Sequence, residues 1–321
     1  MIRIGTSGWN YPTGRGTWNG IFYPADRPRD FDELSWYAER FDTVEVNTTF
    51  YGQPRPEVAH SWVRRTPAGF VFSLKLYRKF THPEMWKQVA VKGVPKDEIP
   101  AGVLDELARV TRADVDAFRE GIDPVASAGK LGMLLAQFPP SFKDTPASRD
   151  YLAWLLRTFA AYPLAVELRH RSWSDRVGET LQLLNGFQAA WVQIDEPKFR
   201  FSIRQNDRPN IPEAYYMRLH GRNADAWWRH EHAEERYNYL YSAAELDDFA
   251  GTIDAADPLV KQVYVYLNNH FSAKAPANAL MLKRRLRLPV TGAYPPAFLE
   301  RYPEVAEPAP ATPSPASRSS S

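Results

Sequence analysis

The chain has no cysteine in its 321 residues. That excludes disulfides, zinc–thiolate centres and cysteine nucleophiles, and it is compatible with a cytoplasmic protein. A surplus of charge is missing too. The formal net charge is +2, too small for bulk attraction to nucleic acid or membrane, so any basic surface must be local. No apolar run approaches the roughly 18 residues that cross a bilayer. Met1–Trp9 enters a strand pattern directly, so no leader segment is expected. There is no P-loop, GxSxG elbow or HExxH helix. Gly5-Thr6-Ser7-Gly8 runs into a long aromatic loop instead of a helix, which argues against a dinucleotide fingerprint. The bulk composition, 44% apolar and 24% charged, is that of a soluble globular protein.

Six segments carry polar residues two positions apart: Glu45/Asn47, Lys75/Tyr77, Glu167/Arg169, Gln193/Asp195, Arg218/His220 and Asn268/His270. Residues of the other parity are apolar: Val44 and Val46, Leu74 and Leu76, Val166 and Leu168, Val192 and Ile194, Met217 and Leu219, Val265 and Leu267. A spacing of two is the period of a strand, so each polar pair shares one face and the apolar set the other.

Strands are predicted over Ile2–Ser7, Thr43–Asn47, Phe70–Tyr77, Leu131–Gln137, Leu164–Arg169, Ala189–Asp195, Tyr215–His220 and Gln262–Asn268. Helical spacing separates most of them. The first helix is read from Phe31, Leu34, Tyr37, Ala38 and Phe41 with Asp30 as N-cap. Ser242 with Glu245 is a capping-box signature. Only Pro197–Pro212 is irregular. Strand and helix alternating eight times predict a (β/α)8 TIM-type barrel, one domain over residues 1–303. Residues 83–130 are too long for a simple crossover and read as a helical insertion between strands 3 and 4, with a helix over Val103–Phe118. The stretch 304–321, rich in Pro, Ala and Ser, reads as a disordered tail.

GTSGWNY (5–11), FYP (22–24), YAERFDTVEVNTTFYGQP (37–54), FSLKLYRKFTHP (72–83), LAQFPPSF (135–142), VELRHRSW (166–173), RLHGR (218–222) and YVYLNNH (264–270) resemble the YecE-like family, also called domain of unknown function 72. The resemblance spans about residues 1–290 and implies a TIM-type barrel with no established activity. After the Asn268-Asn269-His270 run the family tends to carry a glycine before an Asn-Ala pair. Asn278-Ala279 is present, but Phe271–Ala275 has no glycine.

Barrel interiors are normally filled by Val, Ile and Leu. Here the inward parity brings Glu45, Asn47, Ser73, Lys75, Glu167, Arg169, Gln193, Asp195, Arg218, His220, Asn268 and His270. Buried ions need partners, and Lys75, Arg169 and Arg218 balance Glu45, Glu167 and Asp195. One reading is therefore a purely structural network. The other is a site, because these groups sit at the carboxyl ends of strands, where barrel active sites are built. Arg78, Lys79, Arg171 and Arg222 in the following loops predict a positive mouth for an anionic, phosphate-bearing substrate such as a phosphodiester or sugar phosphate.

In that reading Glu45, Asn47, Lys75, Arg169, Arg218, Arg222 and Asn268 bind substrate, with Trp9 and Tyr51 among the rim aromatics. His220 and His270 transfer protons, oriented by Glu167 and Asp195. Trp18, Phe22, Tyr23, Phe50, Trp173, Trp227 and Trp228 either pack the loops or stack on the ligand. A Schiff base at Lys75 is a further route, although nearby carboxylates would oppose the lowered pKa it needs. A divalent metal is the alternative cofactor, with Glu45, Glu167, Asp195, His220 and His270 as ligands. His230-Glu231-His232 reads as a solvated loop. The class is then a hydrolase or isomerase; a non-catalytic nucleotide or nucleic-acid binding module is the competing class. No membrane partner is expected, and the sequence leaves the oligomeric state open.

Overall fold

The computed structural model describes residues 1–93, 100, 102–228 and 233–306. Among these residues nine strands form: β1 Ile2–Thr6, β2 Thr43–Val46, β3 Val71–Lys75, β4 Leu131–Gln137, β5 Leu164–Glu167, β6 Ala189–Trp191, β7 Gln193–Asp195, β8 Ala214–Leu219 and β9 Gln262–Leu267. They make two sheets of order β1-β9-β8-β7 and β2-β3-β4-β5-β6, and every ladder is parallel. Helices occupy most of the connections, so the fold is mixed α/β with parallel sheets. Among the described residues no helix is long and apolar enough to cross a membrane.

The strand predicted over Ala189–Asp195 is split at Val192, whose N–H bonds the Val166 carbonyl at 2.9 Å; β6 thus joins one sheet and β7 the other. At the opposite edges Ser7 bridges Glu45, and the Gly8 N–H bonds the Glu45 carbonyl at 2.7 Å. Here β1 and β2 run so close that a Cβ on Gly5 would lie 2.2 Å from the Thr43 carbonyl oxygen. Only glycine fits.

The apolar parity is buried as the spacing requires: Val44, Val46, Leu74, Leu76, Val166, Leu168, Leu219, Val265 and Leu267 all lie in the core. The sixth segment departs from it. Paired residues of a parallel ladder share a face, and Ile194 pairs with Arg218 while Gln193 and Asp195 pair with Met217 and Leu219. Gln193 and Asp195 therefore face outward, not inward as predicted. The reason is the cover on that side. Residues 197–212 contain no helix, and their polar side chains satisfy the strand backbone directly. Gln205 accepts from the Ile194 N–H at 2.9 Å, and Asn210 accepts from Trp191 N–H at 2.7 Å and donates to the Ala189 carbonyl at 3.0 Å. An outer face sealed by amides tolerates polar residues that a helix would exclude.

Three boundaries also shift. Asp32, not Asp30, caps the first helix, Glu33–Ala38, by accepting from the Leu34 and Ser35 N–H groups. The single helix expected over 103–118 is two, Val103–Ala108 and Arg112–Ser127, because Thr111 and Asp114 close a capping box between them. The Ser242–Glu245 box is present at the head of Ala243–Ala256. At the other end Pro303–Val305 forms a 3-10 turn with Val305 buried, so order continues past 303. Residues 307–321 of the expected tail lie outside the described residues, as do His230-Glu231-His232.

Candidate functional site

The polar faces of β2, β5 and β8 converge on Arg218, a fully buried guanidinium. Its Nε and Nη2 donate to the two oxygens of Glu45 at 2.9 and 2.7 Å, and its Nη1 donates to Glu167 and, at 3.2 Å, to Gln137. Tyr216 completes Glu45 with a 2.8 Å bond. Burial opposes ionisation of Glu167, yet Arg169 and Arg218 hold its carboxyl well below the usual carboxylate range. Each nitrogen of Arg218 is thus bonded inside the protein, and the whole group is shut off from solvent. It is a structural cation.

One layer further out Arg169 donates to Glu167 at 2.6 Å, lies 3.2 Å from Glu196, and has Nη2 3.2 Å from His220 Nε2. Glu196 was not expected there from the sequence. It continues the inward parity of Val192 and Ile194, and takes the place given to Asp195. The balance of three cations and three carboxylates survives with this exchange. Burial pushes the Glu196 carboxyl above its ordinary range although Arg169 opposes this, and its Oε2 makes no hydrogen bond among the described residues.

Asp195 lies outside the cluster, held by Arg222 at 2.8 Å and by the Tyr241 hydroxyl at 2.8 Å. Arg222 also pairs with Glu245 at 2.8 Å. The other loop cations are engaged as well: Lys79 by Asp114 at 2.8 Å, Arg171 by Asp175 at 3.1 Å, and Arg78 by the Tyr51 carbonyl at 2.8 Å. The positive mouth predicted from sequence is thus largely neutralised, although Arg78 meets a carbonyl and not an acid. A groove of about 590 Å³ opens beside Asp195, Arg222 and the 197–212 loop, on the outer face and away from the buried carboxylates. A metal cage fits poorly too. Glu45 and Glu167 face guanidinium groups instead of each other, and no group of three His, Cys, Asp or Glu suited to a metal exists among the described residues.

The two histidines differ. His220 is fully buried, with Nδ1 2.9 Å from the Asn268 amide and Nε2 between Arg169 and, at 3.7 Å, Glu167. Burial and Arg218 push its pKa down to about 3, so it is neutral and its ring nitrogens are committed. It positions Arg169 better than it moves protons. His270 is half-buried, stacked on Tyr11 at 4.3 Å and tilted against Tyr237 at 4.7 Å. It follows β9, and after Phe271 the two residues Ser272 and Ala273 sit at φ 53° and 65°. Two consecutive left-handed non-glycine residues are strained. They stand where the resembling family tends to carry glycine.

Lys75, the last residue of β3, is the cation left over. Its Nζ lies 4.0 Å from the centre of the Phe50 ring and makes no hydrogen bond or ion pair among the described residues. The expected carboxylate partners are taken by arginines. Burial and then Arg218 push its pKa down to about 7, against Glu167 and Glu45. His82, unforeseen from sequence, packs edge-on against the same Phe50 ring at 5.0 Å. Burial, then Lys75 and Arg169, push its pKa down to about 3. Asn47 lies at the end of β2, with its buried Oδ1 unpartnered among the described residues. Of the rim aromatics Tyr51 is 63% exposed, whereas Trp18, Phe22 and Trp173 are buried packing residues and Trp9 packs edge-on against Trp62 at 5.9 Å. Trp227 is buried edge-on to His220 at 6.5 Å.

The family model described as "Protein of unknown function DUF72" matches residues 3–301. UPF0759 protein YunF of Bacillus subtilis (strain 168) is 28% identical over 312 residues, 92% of this chain and 98% of that protein. UPF0759 protein YecE of Escherichia coli (strain K12) is 28% identical over 187 residues, 58% of this chain and 54% of its own. A DUF72 family protein from Thermotoga maritima MSB8 superposes with TM-score 0.71 at 32% identity, covering 89% of this chain and 99% of that one. Another from Enterococcus faecalis V583 gives TM-score 0.72 at 26% identity, covering 92% and 98%.

Proposed function

We propose, for a chain that belongs to the DUF72 family of proteins of unknown function, an enzyme acting on an anionic substrate at the carboxyl ends of its strands. Its two sheets form one closed (β/α)8 barrel in a single domain that runs from residue 1 past residue 303, with residues 83–130 inserted between its third and fourth strands. The edge contacts at Ser7–Glu45 and Val192 support that closure.

The observation that carries the reading is Lys75, a partly buried cation that no carboxylate engages among the described residues. An anion brought to it gains a charge-assisted bond in a poorly solvated site. Arg169 flanks it on a rigid footing of Glu167, Glu196 and His220. Asn47 and Asn268 supply polar edges, and Tyr51 lies at the rim. His270, clasped by Tyr11 and Tyr237, is the group for proton transfer. Phosphate-bearing substrates, sugar phosphates or phosphodiesters, suit this pairing of lysine with guanidinium.

A second reading, a non-catalytic nucleotide or nucleic-acid binding module, is favoured by exposed Tyr51 with the Arg78 guanidinium 5.9 Å from its ring. Thermal shift and turnover with inorganic phosphate, ribose 5-phosphate and a dinucleotide distinguish the two. The enzyme reading expects protection by ribose 5-phosphate, turnover within a wider phosphate panel, and affinity reduced about 10-fold or more in Lys75→Ala but largely kept in Lys75→Arg. Protection only by the dinucleotide, without turnover, selects the binding module. No protection by any phosphate compound sinks both.

A further inference from the structure

We infer that Lys75 is a covalent catalytic residue, forming an imine with an aldehyde or ketone carbonyl of the anionic substrate. The inference rests on the anionic-substrate reading and names the electrophile it lacks. Buried lysines elsewhere in this protein show what a structural ammonium looks like. Lys130 Nζ is ringed by the Val63 carbonyl at 2.9 Å, the Thr66 carbonyl at 2.8 Å and the Thr66 hydroxyl at 2.9 Å. Lys79 is paired with Asp114. Among the described residues Lys75 has neither kind of partner and meets the face of Phe50, although three carboxylates lie in the same cluster.

Each of those carboxylates is occupied by Arg169 or Arg218. The two guanidiniums therefore do the neutralising and add their own repulsion to the lysine. With its pKa pushed down to about 7 by burial and Arg218, a large share of the amine is unprotonated at neutral pH. The chain has no cysteine to compete for an electrophile. A neutral Nζ adds to the carbonyl carbon, and one of its hydrogens moves to the carbonyl oxygen to give a carbinolamine. That oxygen then leaves as water with the second hydrogen, and the carbon–nitrogen double bond closes. Nothing is oxidised or reduced. The protonated share of Lys75 draws the anion in, and once the neutral share has formed the imine Arg169 is the cation left to face the anionic group.

The test is reductive trapping of the full-length protein with sodium cyanoborohydride at pH 7, mapped by peptide mass spectrometry. Glycolaldehyde and glyceraldehyde 3-phosphate are the two probes, and Lys75→Arg controls for the mapped peptide. The expected result is modification of Lys75 at least 10-fold faster than of any exposed lysine, with the phosphate-bearing aldehyde faster still. Selective trapping of Lys75 by both probes without a preference for phosphate supports the imine and removes the anion reading. Labels spread over exposed lysines with Lys75 unmodified overturn the imine. If ribose 5-phosphate still protects the protein in that case, the anion reading stands alone.

Discussion

The deep layer around Arg218 and the outer layer around Lys75 use the same residue types with opposite outcomes. Arg218 spends its donors on Glu45, Glu167 and Gln137, and its charge is fully answered. Lys75, at the end of β3, has the face of a phenyl ring as its neighbour. A guanidinium forks across two carboxylates at once, so two arginines suffice for three acids and the single-point ammonium is left unpaired. The first arrangement fixes a shape. The second leaves a charge for something to bind.

The comparison breaks first at Arg218. Arg218→Ala leaves Glu45 and Glu167 buried without their shared partner, a loss of about 3–5 kcal/mol in the pattern of severed buried pairs. Urea unfolding reads it directly, and a loss below about 1 kcal/mol would mean water reaches the layer. Lys75→Met should act in the other direction. The native pKa near 7 lies below the ordinary value of 10.5. Between those values the unfolded chain binds more protons, so wild-type stability rises with pH from about 7 to 10.5. Below 7 the full penalty of holding the ammonium applies. Burial sets it first, Arg218 and Arg169 add to it, and Glu167 and Glu45 oppose it. Partial exposure screens the effect, so the variant should gain about 2 kcal/mol at pH 6 and lose the alkaline slope. An unchanged slope would place Lys75 in contact with water or an acid.

The outer face supplies a third contrast. Arg222 and Asp195 form a well-shaped pair, but the arginine side chain is 42% exposed. Arg222→Ala should therefore cost about 1 kcal/mol or less, and less still in high salt. A cost equal to that of Arg218→Ala would mean that exposure does not separate the layers.

This outer pair also marks where the sequence was legible and where it was not. Alternation placed Glu45, Glu167, Arg218 and His220 on one buried face, because helices press an apolar set against the other face of those strands. It misplaced Asp195, because the cover over β7 is a loop whose Gln205 and Asn210 act as backbone partners. Polar residues could then face outward. The parity of Val192 and Ile194 pointed to Glu196, but only register with Arg218 decides between the two acids. Which cation pairs with which carboxylate was invisible, since the partners lie 51 and 173 residues apart. A one-for-one count therefore hid the unpaired lysine. His82 was hidden for the same reason, reached only through Phe50.

The smallest effect tests whether the mouth holds strain for a purpose. Ser272 at φ 53° follows His270 in the left-handed region and begins a strained pair with Ala273. A glycine there removes a penalty of about 1–2 kcal/mol and returns part of it through the freer unfolded chain, roughly 0.4–1 kcal/mol. Ser272→Gly should therefore stabilise the protein by about 0.5 kcal/mol. In the deep layer such relief would change nothing else. At the mouth the strained turn fixes the loop that presents His270 between Tyr11 and Tyr237. If that fixing serves the ligand, Ser272→Gly gains stability and loses ribose 5-phosphate affinity by about 3-fold. If affinity is unchanged while stability rises, the strain is an accident of this sequence and the placing of His270 does not depend on it.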